Sequence, residues 1–253
     1  MRGKVAVVTG ASSGIGRATA GLFVRNGMDV LAVGRNEKGL NELSDRTDES
    51  EGSVKLHFAD VTKMQEVDEI LTDAIDGFGK IDVLVNAAGI IQSGSIETTS
   101  EEDWDRMMDM NLRSVFALMQ RCIPHLTETK GNIVNVSSVA GTRAFPGVLA
   151  YCISKAAVDQ LTRCTALELA PKGIRVNAVN PGVVVTNLHK SGGMEDAAYQ
   201  NFLEHSKETH PIGRVGTPEE VAELIYYLAS DKASWITGAT YEIDGGRAQT
   251  CAR

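Results

Sequence analysis

The sequence predicts one α/β domain over residues 1–253, a doubly wound parallel sheet of about seven strands with helices on both faces. Three observations predict it. Short apolar runs alternate with longer amphipathic ones along the chain, and such alternation gives a parallel sheet because each crossover carries its helix back over a face. A glycine-rich turn follows the first apolar run. Finally, 253 residues at 43% hydrophobic and 23% charged content suit one large core, near the upper limit for a single domain.

The elements follow in order. KVAVVTG has the pattern of a buried strand, and its glycine turn leads into RATAGLFVRNG, a helix that Gly27 stops. DVLAVG is the second strand, and KGLNELSDR the helix after it. SVKLHFAD is the third strand; Thr62 then stands as the cap of a helix, with Gln65 completing a capping box. IDVLVNAAG is the fourth strand, and EEDWDRMMDM and NLRSVFALMQRCI read as two successive helices. GNIVNVSS is the fifth strand, followed by a helix through LAYCISKAAVDQL. GIRVNAVNPG is the sixth. TPEEVAELIYYLAS opens on Thr217 as cap, with Pro218 in the first turn and Glu220 at the capping-box position. GATYEIDGG is the last strand. Residues 187–213 have a glycine pair, scattered charges and weak periodicity, and are expected to form a mobile lid.

Charge and cysteine usage narrow the function classes. A formal net charge of -8 argues against nucleic acid or an anionic membrane as partner. Cys122, Cys152, Cys164 and Cys251 form no CxxC pair or zinc-like spacing and read as reduced thiols of a cytoplasmic protein. The N-terminus enters the first strand at once, so no leader is expected, and no segment is apolar enough over membrane-spanning length.

Ligands of such sheets bind beyond the carboxyl ends of the strands, where the strand order switches. After the first strand, Gly10, Gly14 and Gly16 are spaced G-x-x-x-G-x-G, a variant of the dinucleotide pattern; glycines allow the tight turn and close backbone approach that a pyrophosphate at a helix N-terminus needs. The second strand ends in Gly34-Arg35, with no acid for a ribose 2′-hydroxyl. Arg35 is either a surface residue or the partner of a 2′-phosphate. The missing acid also counts against an adenosylmethionine-binding methyltransferase. Asp60, ending the third strand, could accept from an adenine amino group or serve the turn. Ala87, Ala88 and Gly89 after the fourth would let a flat ring lie on the backbone, or merely pack. The fifth ends at Ser137-Ser138 and the sixth at NPGVVVTN.

Tyr151 and Lys155 lie four residues apart in a small, apolar helical run, on one face and one turn apart. With TGASSGIG, NAAG, Asn111 in MNLRSVF, Ser138 in NVSSVAG, YCISK and NPG, the chain resembles the short-chain dehydrogenase/reductase family from Lys4 to about Gly246. The likeness is to 3-oxoacyl-carrier-protein reductases and related ketone and hydroxysteroid enzymes. Two departures stand out: Ala87 replaces a frequent second asparagine, and Ser13 a basic residue that some NADP-dependent members carry in the glycine turn.

The resemblance implies a catalytic set. Tyr151 would be general acid in reduction and base in oxidation, its pKa lowered from about 10 by the ammonium of Lys155. Lys155 would also bind the nicotinamide ribose, Ser138 would hydrogen-bond the carbonyl oxygen, and Asn111 would hold a relay water. Cofactor contacts would come from Gly10, Ser12, Ser13, Gly14, Ile15 and Gly16; from Arg35, Asp60, Val61, Asn86, Ala87, Ala88 and Gly89; and from Tyr151, Lys155, Pro181, Gly182, Val184 and Thr186, the last two fixing the carboxamide. The expected cofactor is NADP(H), with NAD(H) the alternative, and the expected substrate a small carbonyl compound or alcohol. Sugar or steroid dehydrogenases are the runner-up, and a nucleotide-binding protein without turnover a further alternative. The resemblance implies a homo-oligomer, a tetramer, and two helices near 111–126 and 151–170, apolar on more than one side, agree with that. His189, His205 and His210 fall in the lid region and read as loop or rim residues. Met107, Met108, Met110 and Met119 read as packing between helices.

Overall fold

A computed structural model describes residues 1–250 of the chain. Cys251, one of the expected free thiols, lies outside the described residues. Seven strands form one parallel sheet: β1 (Val5–Thr9), β2 (Asp29–Gly34), β3 (Val54–Phe58), β4 (Val83–Asn86), β5 (Asn132–Val136), β6 (Arg175–Pro181) and β7 (Thr240–Ile243). Their order is β3-β2-β1-β4-β5-β6-β7, so the chain reverses its direction of travel between β1 and β4. In chain order the helices begin with α1 (Gly14–Arg25), α2 (Glu37–Asp45), α3 (Met64–Phe78), α4 (Glu101–Met108), α5 (Ser114–Thr129) and α6 (Leu149–Leu169). The short α7 (Leu188–Ser191), α8 (Asp196–Thr209) and α9 (Pro218–Ala229) complete the fold.

Side chains alternate along each strand and fill two cores. In β1, Val7 joins Leu84, Leu118 and Ile133 on one face, under α3, α5 and α6. Its neighbours Ala6 and Val8 join Phe23, Leu40 and Ile225 on the other, under α1, α2 and α9. Each fully buried side chain of this size contributes about 1.5–3 kcal/mol, which is why the strands read as continuous apolar runs rather than alternating ones. Asp82 ties the middle together: its Oδ2 accepts from the amide of Val5 at 2.8 Å, 77 residues away in sequence.

Two local features differ from the sequence expectation. Thr62 does not cap α3. Its hydroxyl and amide both turn back to Asp60 Oδ1, at 2.8 and 3.0 Å, while Glu66 takes the Asp60 amide at 2.6 Å and Gln65 bonds Glu69. The charged carboxylate outcompetes the neutral hydroxyl for the turn, and the helix begins at Met64 after Lys63. Second, the two helices expected around residue 111 are joined without a break. Asp109–Arg113 forms a π-turn between α4 and α5, a wide turn often found at functional sites. The Thr217–Glu220 capping box is present as expected.

Candidate active site

A cleft of about 1210 Å³ runs along the carboxyl ends of the strands, across the β1–β4 switch. One half is lined by the glycine turn. Gly10 and Gly14 hold positive φ, +67° and +53°. A side chain on Gly10 would meet the Ala87 carbonyl carbon at 2.8 Å, and one on Gly16 would meet the Gly10 carbonyl oxygen. Thr9 Oγ1 accepts from the amides of Ala87 and Ala88, at 3.1 and 3.2 Å, and so clamps the loop after β4 against the glycine turn. No side chain caps α1, which leaves its first amides for an anion. These residues fit a dinucleotide: the narrow places need glycine, and the helix terminus needs a negative group. Gly34 gives Ser12 room, since a Cβ there would stand 3.1 Å from the Ser12 side chain. Arg35 lies at the cleft rim with its Nη1 3.5 Å from Asp60 Oδ2. Asp60 is held below the usual carboxylate range by Thr62 and Arg35, which outweigh burial.

The other half holds Ser138, Tyr151 and Lys155, all buried yet on the cleft wall. Ser138 Oγ accepts from the Ala140 amide at 3.1 Å, which leaves its O–H free to donate outward. Lys155 Nζ donates to the Val136 carbonyl at 2.8 Å and stands 5.8 Å from the centre of the Tyr151 ring. Burial pulls the Lys155 ammonium down to about 8, with Asp159 opposing. Burial also raises the Tyr151 phenol above its ordinary value, while Ser138 draws it down. That is opposite to the lowering expected from the Tyr–Lys spacing alone. Lys155 spends its charge on a carbonyl, and desolvation of the phenolate dominates.

Other expected residues sit differently. The Asn86 side chain is turned into the core, where its Nδ2 donates to Asn135 Oδ1 at 2.8 Å, and it does not line the cleft. Asn111, on the π-turn, lies behind the wall. Its Oδ1 accepts from the Ile90 amide and its Nδ2 donates to the Ile90 carbonyl, both at 2.9 Å, with a further bond to Ser154. It therefore holds the loop after β4 beside Lys155. Ile15, Val61, Pro181, Gly182, Val184 and Thr186 all border the cleft, and Thr186 stands over Gly14. His205, expected in a loop or at the rim, is exposed on α8 and does not line the cleft. His210 is not a rim residue: it is buried, and its Nε2 accepts from the Val183 amide at 3.1 Å. His189 faces the cleft and stacks on Phe202 at 4.6 Å, its pKa lowered by burial.

A family model described as enoyl-(acyl carrier protein) reductase matches residues 10–248. The chain belongs to the short-chain dehydrogenase/reductase family. As a member it is an oxidoreductase of CH–OH groups with NAD(P) as acceptor. It is 40% identical over 247 residues to a 3-oxoacyl-(acyl-carrier-protein) reductase of Thermotoga maritima, covering 97% of this chain and 98% of that one. It is equally, 40%, identical to 3beta-hydroxysteroid dehydrogenase 1 of Eggerthella lenta, over 97% of this chain and 94% of the relative. Among solved structures, a Caenorhabditis elegans short-chain dehydrogenase/reductase of unknown function, with cofactor, superposes with a TM-score of 0.93 at 40% identity, covering 99% and 97% of the two chains. A Brucella melitensis 3-ketoacyl-(acyl-carrier-protein) reductase complexed with NADH gives 0.88 at 32% identity, over 98% and 99%.

Sequence reading missed three supports of this dehydrogenase/reductase site. Thr9 is one. Asp159 and Asn180 are the others: Asn180 Nδ2 donates to Asp159 Oδ2 at 2.8 Å and to the Ser138 carbonyl at 3.1 Å. The buried acid thus orients an amide that fixes the Ser138 peptide. One signal was available, an aspartate one turn beyond Lys155 in an apolar helix.

Proposed function

We propose that this enzyme is an NADP(H)-dependent oxidoreductase interconverting a ketone and a secondary alcohol, with Tyr151 as the proton donor in reduction and acceptor in oxidation. One observation carries the proposal: Ser138, Tyr151 and Lys155 share a cleft wall continuous with the glycine turn. Bound there, the nicotinamide supplies the hydride in reduction and takes it in oxidation. Ser138 Oγ donates to the substrate oxygen and steadies the charge that develops on it. Tyr151 Oη then passes its proton to that oxygen. A phenol raised by burial keeps its proton at neutral pH, which suits the acid role. Lys155, mostly charged below about 8, stabilises the phenolate left behind. Asn111 positions the wall by clasping Ile90.

Arg35 beside Gly34 supports a 2′-phosphate, and with it NADP(H). The pairing of Arg35 with Asp60, and Ser13 in place of a basic residue, favour NAD(H) as the second reading. The substrate is a 3-oxoacyl or other small carbonyl compound, with sugar or steroid alcohols as the alternative. We place the enzyme in the cytoplasm as a homotetramer, over whose substrate residues 187–213 close. No helix among the described residues is long and apolar enough to cross a membrane.

The test is a screen of ketones and alcohols with both cofactors, following the absorbance of the reduced ring, in native protein and Tyr151→Phe. The variant should bind cofactor nearly normally and lose about two to four decades of kcat. Native kcat in the variant overturns the assignment.

A further inference from the structure

The cleft wall carries four formal charges. Arg35 and Asp60 pair at the nucleotide end, and Lys155 is committed to the Val136 carbonyl. The fourth is Arg247, just beyond the last strand, at the opposite end. Its guanidinium lies 5.4 Å from the centre of the Phe145 ring, and Phe145 packs on the cluster of Met107, Ala140, Ala150 and Tyr151. Arg247 is therefore one aromatic ring removed from the packing around the proposed proton donor. Among the described residues, no aspartate or glutamate lines this end of the cleft.

The guanidinium is held but unspent. Among the described residues it makes one hydrogen bond, from Nη1 to the Thr209 carbonyl at 3.1 Å, of the five donors it owns. The neighbouring carboxylate, Asp244, gives its two oxygens to the amides of Gly246 and Ala248, at 2.9 and 2.5 Å. Those bonds, with Gly245 and Gly246 both at positive φ, fix the turn that carries Arg247. Arg143 donates to the Ala248 carbonyl and pins the same turn to the loop after β5. The Phe145 ring, 5.4 Å away, shields one side of the guanidinium from water. A brace alone between this turn and the end of α8 would use one donor. A partly dehydrated cation on the wall of a substrate cleft, with donors to spare among the described residues, is arranged for an anion.

We propose that Arg247 anchors a terminal anion on the substrate, so that the preferred carbonyl compounds carry a carboxylate or phosphate at the end remote from the reacting carbon. This rests on the oxidoreductase reading above. The test compares kcat/KM for straight-chain oxo acids of increasing length, their methyl esters and the matching oxoalkyl phosphates, in native protein, Arg247→Gln and Arg247→Lys. Native protein should favour an anionic member over the ester by about tenfold or more. That ratio should collapse in Arg247→Gln and persist in part in Arg247→Lys, which keeps the charge. Preference for the acid identifies a carboxylate substrate; preference for the phosphate identifies a phosphorylated or carrier-borne one. A native protein that uses the ester as well as either anion, or a ratio unmoved in Arg247→Gln, overturns the proposal. Calorimetry of oxo acid binding to the cofactor-loaded protein separates the two readings. Binding that depends on Arg247 with no turnover of any ketone refutes the ketone reading and keeps the anchor; turnover with no anion preference does the reverse.

Discussion

Arg35 is the residue on which cofactor choice turns. Its side chain is 59% exposed and shares its charge with Asp60, so a 2′-phosphate must compete with a carboxylate already there. A charge-assisted bond to phosphate is worth about 1.5–3 kcal/mol, roughly one to two decades of preference. We expect kcat/KM to favour NADPH over NADH in native protein and the ratio to fall at least about tenfold in Arg35→Ala. A native enzyme that favours NADH, or a ratio unmoved by the substitution, would sink the NADP reading. At this scale the sequence was informative where a residue's type is forced. Gly10 and Gly16 were legible because backbone passes where a Cβ would go. Asn86 was misplaced because its strand end allows either of two directions, and the bond to Asn135 draws it inward. The raised phenol of Tyr151 was hidden, since burial of a helix face cannot be weighed against a lysine one turn away without knowing what that lysine bonds.

Among the elements, strands were legible from their apolar runs, and β2 has the bounds of its motif, Asp29–Gly34. Thr62 was misjudged as a cap because pattern alone does not say that Asp60 claims the Thr62 amide and hydroxyl while Glu66 takes the Asp60 amide. The π-turn has no periodic signature, as the residues on either side stay helical. The region expected to be an irregular lid contains α8, anchored by Tyr199 Oη on the Thr186 carbonyl at 2.9 Å and by buried His210. Its few apolar side chains gave weak periodicity, although two of them, Tyr199 and Phe202, meet His189. We therefore expect lid motion mainly in α7 and the joint that follows it, residues 188–195, where Gly192 and Gly193 sit. Hydrogen exchange should slow there when NADPH and a turned-over ketone are added, and change less in α8. Equal, slow exchange with and without ligands would remove the lid.

On the scale of the whole molecule, α5 and α6 present apolar side chains on their outer sides as well as to the core. Phe116, Ile153 and Leu167 are exposed, Leu167 to 78%. A helix apolar on several faces needs cover on each, and two such helices side by side offer a patch for a second copy. Light scattering at micromolar concentration should give a mass near four times the 27.1 kDa chain. A stable 27.1 kDa species would exclude the assembly.

The order of the sheet also bears on how the chain is made. β1 pairs with β2 on one edge, available once Gly34 has been added, and with β4 on the other, which must wait for Val83. On the ribosome, the first strand therefore spends the synthesis of β3 and α3 with one row of backbone groups unpaired, and open strand edges invite pairing with other chains. The closing of β4 onto β1 both ends that exposure and creates the crevice proposed for the cofactor.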